Sequence, residues 1–233
     1  MTAWKSGIYA ILDVDRIQPL LPEDAADEAT MLLDYARAAV DAGAVAVQLR
    51  AKSWPVQGLQ LPKVYGSMVD ALGDRVPILL NDVLSAVQPH AHKSGAGLHV
   101  GQDDFSPRTA RFALGERAWI GYSTHNLAQV EIARRMPVGY IGFGPVRATT
   151  SKVGAGPEVG FEALAAACRA TAKPVVAIGG LGLNDIEAVR QAGAASMAVI
   201  GAWLGTPERP ANVQRASMSM SMLVATWIAS APT

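Results

Sequence analysis

Eight short apolar runs alternating with helix-like segments predict a (β/α)8 TIM barrel, a single domain spanning residues 1–233. Three observations carry this expectation. The strand candidates are almost continuously apolar, as strands covered on both faces must be. The junctions DAGAVAVQ, KSGAGLHV and QAGAASMAV share one design, in which a helix stops at glycine and a strand begins. The length of 233 residues suits an α/β barrel, which closes as one unit at about 200–250 residues. An open doubly wound sheet would explain the alternation but not the eight-unit count.

The elements follow in order. GIYAILD reads as the first strand, and DEATMLLDYARAAVDAG as a helix with apolar positions at helical period and Gly43 at its end. VAVQLR is the second strand, residues 56–72 a helix, VPILL the third strand, and LSAVQPHAHKSG a helix broken near Pro89. LHV, WIGYS, YIGFG, PVVAIG and SMAVI supply five more strands. Between them RTARFALG, LAQVEIARRM, GFEALAAACRAT and NDIEAVRQAG are helical, and the tail after Asn212 supplies the last helix. Met218, Met220 and Met222 are expected to pack that helix, although their spacing of two fits a helix poorly.

Composition narrows the function classes. Formal net charge is zero and no run of like charges occurs, so neither nucleic acid nor an anionic membrane surface is an expected partner. Cys168 is the only cysteine, which excludes an internal disulfide and a cysteine-cluster metal site; its alanine-rich surroundings predict packing rather than catalysis. No signal-peptide pattern and no sufficiently long apolar stretch is found, so a cytoplasmic protein acting on small molecules is expected. Self-association is left open.

Polar residues cluster where the apolar runs end: Gln48, Arg50 and Lys52; Asn81 and Asp82; His99 and Asp104; Ser123; the loop GPVRATTSK; and the turn AIGGLG. In a parallel barrel these positions share the C-terminal rim, where such folds do chemistry. Two clusters point to phosphate. Gly179 and Gly180 let backbone N–H groups approach an anion, and Asn184 or Asp185 can cap the following helix. The Ile200 and Gly201 amides end the next strand, and loops seven and eight are the usual phosphate site of this barrel. The bland reading of the glycine pair is a tight turn.

Asp82 and Asp104 end consecutive strands, about 4.8 Å apart in a sheet, so both carboxylates reach one volume. Such oxygen ligands suit Mg²⁺ shared with a substrate phosphate; each acid could instead cap a helix, and Asp103 competes with Asp104. Arg50, Lys52 and Lys152 supply cations suited to a second, doubly charged phosphate group. Gln48 and Asn81 can read the edge of a heteroaromatic ring, and Ser123, Thr149 and Ser151 can bind phosphate oxygens. Tyr9 either stacks on a ring or packs inside the barrel. His99 either faces a substrate or satisfies a hydrogen bond in the core, while solvated or capping roles are expected of His90, His92 and His125.

QLRAK, LLND, GLHVGQDD, GYSTH, GPVRATTSK and AIGGLG, in this order between Tyr9 and Trp203, resemble the thiamine phosphate synthase family, also called thiamine phosphate pyrophosphorylase. The resemblance implies a (β/α)8 barrel that joins a pyrimidine methyl diphosphate to a thiazole phosphate and releases diphosphate. It implies a pyrimidine diphosphate site at Gln48, Arg50, Lys52 and Asn81, and Mg²⁺ on Asp82 and Asp104. Ser123 and Lys152 join Lys52 around the leaving group, while Thr149, Ser151, Gly179, Gly180, Ile200 and Gly201 meet the thiazole phosphate. Three positions depart from the pattern: Ala51 stands where an acid is frequent, Ser151 where threonine is common, and Gly201 where serine is often found. A thiazole tautomerase-like isomerase and a non-catalytic ligand-binding paralogue are the alternatives.

Overall fold

The computed structural model describes residues 3–22, 24–52, 61–151 and 154–230. Eight parallel strands, β1 (Gly7–Asp13), β2 (Ala46–Arg50), β3 (Ile78–Asn81), β4 (Ala96–Val100), β5 (Trp119–Thr124), β6 (Tyr140–Phe143), β7 (Val175–Ala177) and β8 (Ser196–Val199), close into a barrel in sequence order, with β1 pairing both β2 and β8. The helices are α1 (Val14–Ile17), α2 (Ala25–Asp41), α3 (Leu61–Leu72), α4 (Leu84–Val87), α5 (Pro107–Leu114), α6 (Leu127–Ala133), α7 (Gly160–Arg169), α8 (Ile186–Gln191), α9 (Gly201–Leu204) and α10 (Val213–Ala229). A small antiparallel pair, β9 (Gly205–Thr206) and β10 (Arg209–Pro210), follows α9. The (β/α)8 expectation therefore holds.

Period-two alternation divides each strand between two cores. On β1, Ile8, Ala10 and Leu12 pack outward against the helices, whereas Tyr9 and Ile11 join Ala46, Leu79, Trp119, Tyr140, Val176 and Ala198 inside the barrel. Trp4 closes the bottom of that interior: its indole N–H donates to Ser196 Oγ at 2.9 Å, and its ring lies 4.4 Å from that of Tyr140. The same alternation that points Tyr9 inward continues to Asp13, and that of Ala46 continues through Gln48 to Arg50. The fold thus delivers polar side chains to the rim directly above a filled interior.

Most helix boundaries follow from caps. Asp24 accepts from the Ala26 amide at 2.8 Å to start α2, Ser106 from Thr109 at 3.1 Å to start α5, and Asn126 from Gln129 at 2.9 Å to start α6. Asn212 accepts from Arg215 at 3.0 Å and starts α10 where the tail was expected to become helical. The break near Pro89 is a 3₁₀ turn, Gln88–His90, following α4. The helix expected over 56–72 is seen over Leu61–Leu72, and residues 56–60 lie outside the described ones.

Two expectations need correction. Neither Asn184 nor Asp185 caps α8 with its side chain; a 3₁₀ turn over Leu183–Asp185 comes first, and Asp185 reaches back to accept from the Gly182 amide at 2.9 Å. Of the three methionines on α10 only Met220 is buried, with Met218 and Met222 exposed. A spacing of two on a helix turns neighbours about 200° apart, so alternate residues cannot share a face.

Candidate active site

Two adjoining cavities open on the C-terminal rim. One, of about 120 Å³, is lined by Tyr9, Gln48, Arg50, Lys52, Asn81, Asp82, His99, Asp104, Ser123 and Tyr140, among others. Its neighbour, of about 330 Å³, is lined by Arg16, Thr149, Gly179, Gly180 and Gly201 among others. Ser123, Ser151, Ile178, Ala198 and Ile200 border both, so the two volumes are parts of one site. All the rim residues expected from sequence meet here except Lys152, which lies outside the described residues.

The smaller cavity is built on charge. Asp82 follows β3 with φ of 64°, a left-handed conformation that aspartate tolerates better than most side chains. Its amide donates to His99 O at 2.9 Å, and its Oδ2 accepts from Asn81 Nδ2 at 2.5 Å and from the Lys52 ammonium. Burial pushes the Asp82 carboxyl above the usual carboxylate range; Lys52 draws it down, and Asp104, close enough to hydrogen-bond it, pushes it up again. The two acids therefore share one volume, as their strand ends predicted, and Asp104 rather than Asp103 takes this place. Asp104 Oδ2 also accepts from the Gly101 amide at 2.8 Å. The described residues contain no group of three or more candidate metal ligands, so a cation here would take two carboxylates and complete its shell from substrate and water, a donor set that suits Mg²⁺.

Below the charges runs a chain of neutral donors and acceptors. Ser123 Oγ lies 2.8 Å from His99 Nε2, His99 Nδ1 2.7 Å from Tyr140 Oη, and Tyr140 Oη 2.9 Å from Tyr9 Oη. Gln48 Nε2 donates to the same Tyr9 oxygen at 2.9 Å. Burial raises both phenols, so they remain protonated and act as hydroxyls. Gly121 makes the chain possible, since a Cβ there would lie 2.2 Å from Tyr140 Oη and 2.5 Å from His99 Nδ1. Tyr9 is buried beneath Gln48, in the packing arrangement of its two sequence readings.

The larger cavity is built on backbone. Gly179 and Gly180 have φ of 104° and 64°, and a Cβ on them would meet Pro145 Cα at 2.4 Å and Ala148 O at 2.3 Å. Arg147 N donates to Gly179 O at 3.0 Å, and Arg147 Nε to Asp185 Oδ1 at 2.6 Å, so the loop after β6 is fixed against the glycine turn. Thr149 and Ser151 come next, with the Ser151 amide donating to Thr149 Oγ1 at 3.2 Å.

Sequence reasoning passed over several residues. Asp13 at the end of β1 holds Arg50 at 2.8 Å; burial raises its carboxyl while Arg50 lowers it. The inward parity of Tyr9 and Ile11 was the signal that could have found it. Arg16, in the one-turn helix α1, carries no comparable signal. His125, expected to be solvated or capping, borders the larger cavity with Nδ1 2.6 Å from Gly144 O, because the end of β5 turns it back over the rim.

The chain matches the family described as thiamine monophosphate synthase over residues 21–203. It is 36% identical over 206 residues to the thiamine-phosphate synthase of Koribacter versatilis, covering 88% of this chain and 92% of that one. Identity to the thiamine-phosphate synthase of Anaeromyxobacter dehalogenans is 40% over 181 residues, 77% of this chain and 79% of that one. Among solved structures, thiamine phosphate pyrophosphorylase from Pyrococcus furiosus superposes with a TM-score of 0.72 at 24% identity, covering 95% of this chain and 96% of the other.

Proposed function

Because the chain belongs to the thiamine monophosphate synthase family, we propose that it joins 4-amino-2-methyl-5-hydroxymethylpyrimidine diphosphate to a thiazole phosphate, forming thiamine phosphate and releasing diphosphate. The observation that carries this reading is the paired cavity, charged on one side and glycine-lined on the other, with Ser123 and Ser151 on the shared border. Two separately phosphorylated substrates whose reacting atoms must meet require that division. The isomerase alternative has no need of the charged half.

The pyrimidine ring lies over the hydroxyl chain, where Gln48 and Asn81 read its edge and Tyr9, fixed by Tyr140, holds Gln48. Asp82 and Asp104 hold Mg²⁺ when it is bound, and the ion supplies a Lewis acid for the diphosphate oxygens. Lys52, Arg50 and Ser123 line the path of the leaving group; Lys152, outside the described residues, is assigned the same role by the family resemblance alone. The methylene C–O bond breaks with its electron pair leaving on diphosphate, the aminopyrimidine spreads the resulting positive charge, and the thiazole nitrogen donates the pair that forms the new C–N bond. Asp13 keeps Arg50 extended toward the diphosphate. Thr149, Ser151, Gly179, Gly180, Ile200 and Gly201 hold the thiazole phosphate in the larger cavity. No covalent enzyme intermediate is needed, so catalysis rests on positioning and on charge stabilisation.

The test is incubation of the purified protein with both substrates and Mg²⁺ while thiamine phosphate is followed. Product formation that depends on both substrates supports the reading. Binding of both ligands without product above background would overturn it in favour of a non-catalytic paralogue.

No helix among the described residues is long and apolar enough to cross a membrane; the cytoplasm is proposed as the place of action from the biosynthetic family alone.

A further inference from the structure

Arg16 is buried to 8% exposure yet borders the larger cavity. A guanidinium carries five N–H donors in a planar fork. Nη1 donates to Gly205 O at 2.7 Å and Nη2 to Ser151 Oγ at 2.9 Å, while the buried Nε has no hydrogen-bond partner among the described residues. Leaving such a donor unpaired in a protein interior is unfavourable unless a ligand completes it.

The nearby buried carboxylate, Asp13, feels Arg16 but already accepts from Arg50 at 2.8 Å. Glu208, which also feels Arg16, is fully exposed. Gly201 lies beside the guanidinium, where a Cβ built on it would sit 3.4 Å from Arg16 Nη1, in van der Waals contact. The other walls of the cavity include the glycine turn and the hydroxyls of Thr149 and Ser151.

We infer that Arg16 is the cation that recognises the phosphate of the thiazole substrate, gripping its oxygens from the α1 side of the larger cavity. This rests on the synthase reading and adds a specificity residue that precedes the segment matching the family, residues 21–203. Arg16 also ties Ser151 to β9, so the phosphate-binding loop is docked by the group that binds the phosphate.

The test compares wild type with Arg16→Gln, Arg16→Lys and the double variant Arg16→Gln/Gly201→Ser. Inorganic phosphate should raise the Tm of wild type but not of Arg16→Gln. The KM for thiazole phosphate should rise about 10-fold or more in Arg16→Gln, with the KM for the pyrimidine diphosphate within about two-fold of wild type. Adding the serine hydroxyl in the double variant should recover part of the lost affinity. In wild type, the Arg16 Nε–Hε resonance, assigned with Arg16→Lys, should shift on titration with inorganic phosphate; this arm decides the matter even if Arg16→Gln fails to fold. An unmoved resonance, or equal rises in both KM values, would overturn the inference. Wild type that makes no thiamine phosphate would instead sink the synthase reading, and the phosphate arms would still judge Arg16.

Discussion

The two halves of the rim solve the same problem, holding a phosphorylated substrate, with different materials. From β1 to β4 the strands end in or lead into side chains that carry charge: Asp13, Arg50, Lys52, Asp82 and Asp104. From β6 to β8 they end in a backbone turn, Gly179-Gly180, packed against the loop after β6, and in Ile200-Gly201. The difference follows the charge each half must handle. A diphosphate that departs gains negative charge during the reaction, so groups that respond to it accelerate the step. A phosphate that remains attached keeps its charge, and fixed amides bind it equally before and after.

That contrast is broken most severely at the acids. Asp82→Asn and Asp104→Asn should each lower kcat by about 10²–10³-fold while leaving inorganic phosphate binding in the larger cavity unchanged, as measured by steady-state kinetics and titration. Asparagine is the informative replacement at 82 because it also tolerates the left-handed backbone. Unchanged turnover in both variants would remove the carboxylates from the mechanism.

The glycine half should respond in the opposite sense. Gly180→Ala places a methyl 2.3 Å from Ala148 O at a φ of 64°. The strain costs about 1–3 kcal/mol, visible as a lower Tm, and the KM for thiazole phosphate should rise about 10-fold with a smaller change in kcat. A kcat loss as large as that of the aspartate variants would erase the distinction between the halves.

Much of this division was legible in the sequence because parallel strands impose a rule on it. Once Gln48 points into the barrel, Arg50 and Lys52 follow by alternation; Asn81 pairs with His99 on the next strand, and Ser123 lies two residues beyond Gly121, the partner of His99 on β5. Asp13 obeys the same rule and was readable. Arg16 was not: α1 has four residues and no periodicity to interpret, and its partners lie 135 and 189 positions away. Asp185 misled for a related reason, since a cap position does not reveal that the carboxylate can reach both the Gly182 amide and Arg147.

A smaller effect is expected beneath the charged half. Tyr140→Phe removes the hydroxyl that joins His99 to Tyr9, which costs about 1–3 kcal/mol in buried groups left without a partner. Folding stability should fall, and the KM for the pyrimidine diphosphate should rise by less than about ten-fold. An equal effect on thiazole phosphate would mean that the hydroxyl chain serves both cavities.

The smallest effect belongs to a residue in neither half. Cys168 lies on α7, partly buried against the outer core, and burial pushes its thiol up to about 11 even though Arg169 draws it down. The thiolate is the nucleophile, and its fraction rises about ten-fold per pH unit below that value. Iodoacetamide should therefore react slowly at neutral pH and progressively faster as the pH approaches 11, followed by mass spectrometry. Cys168→Ala should leave turnover and both KM values unchanged. A loss of turnover would show that the outer helices take part in the chemistry and that the division of the rim into charge and backbone is incomplete.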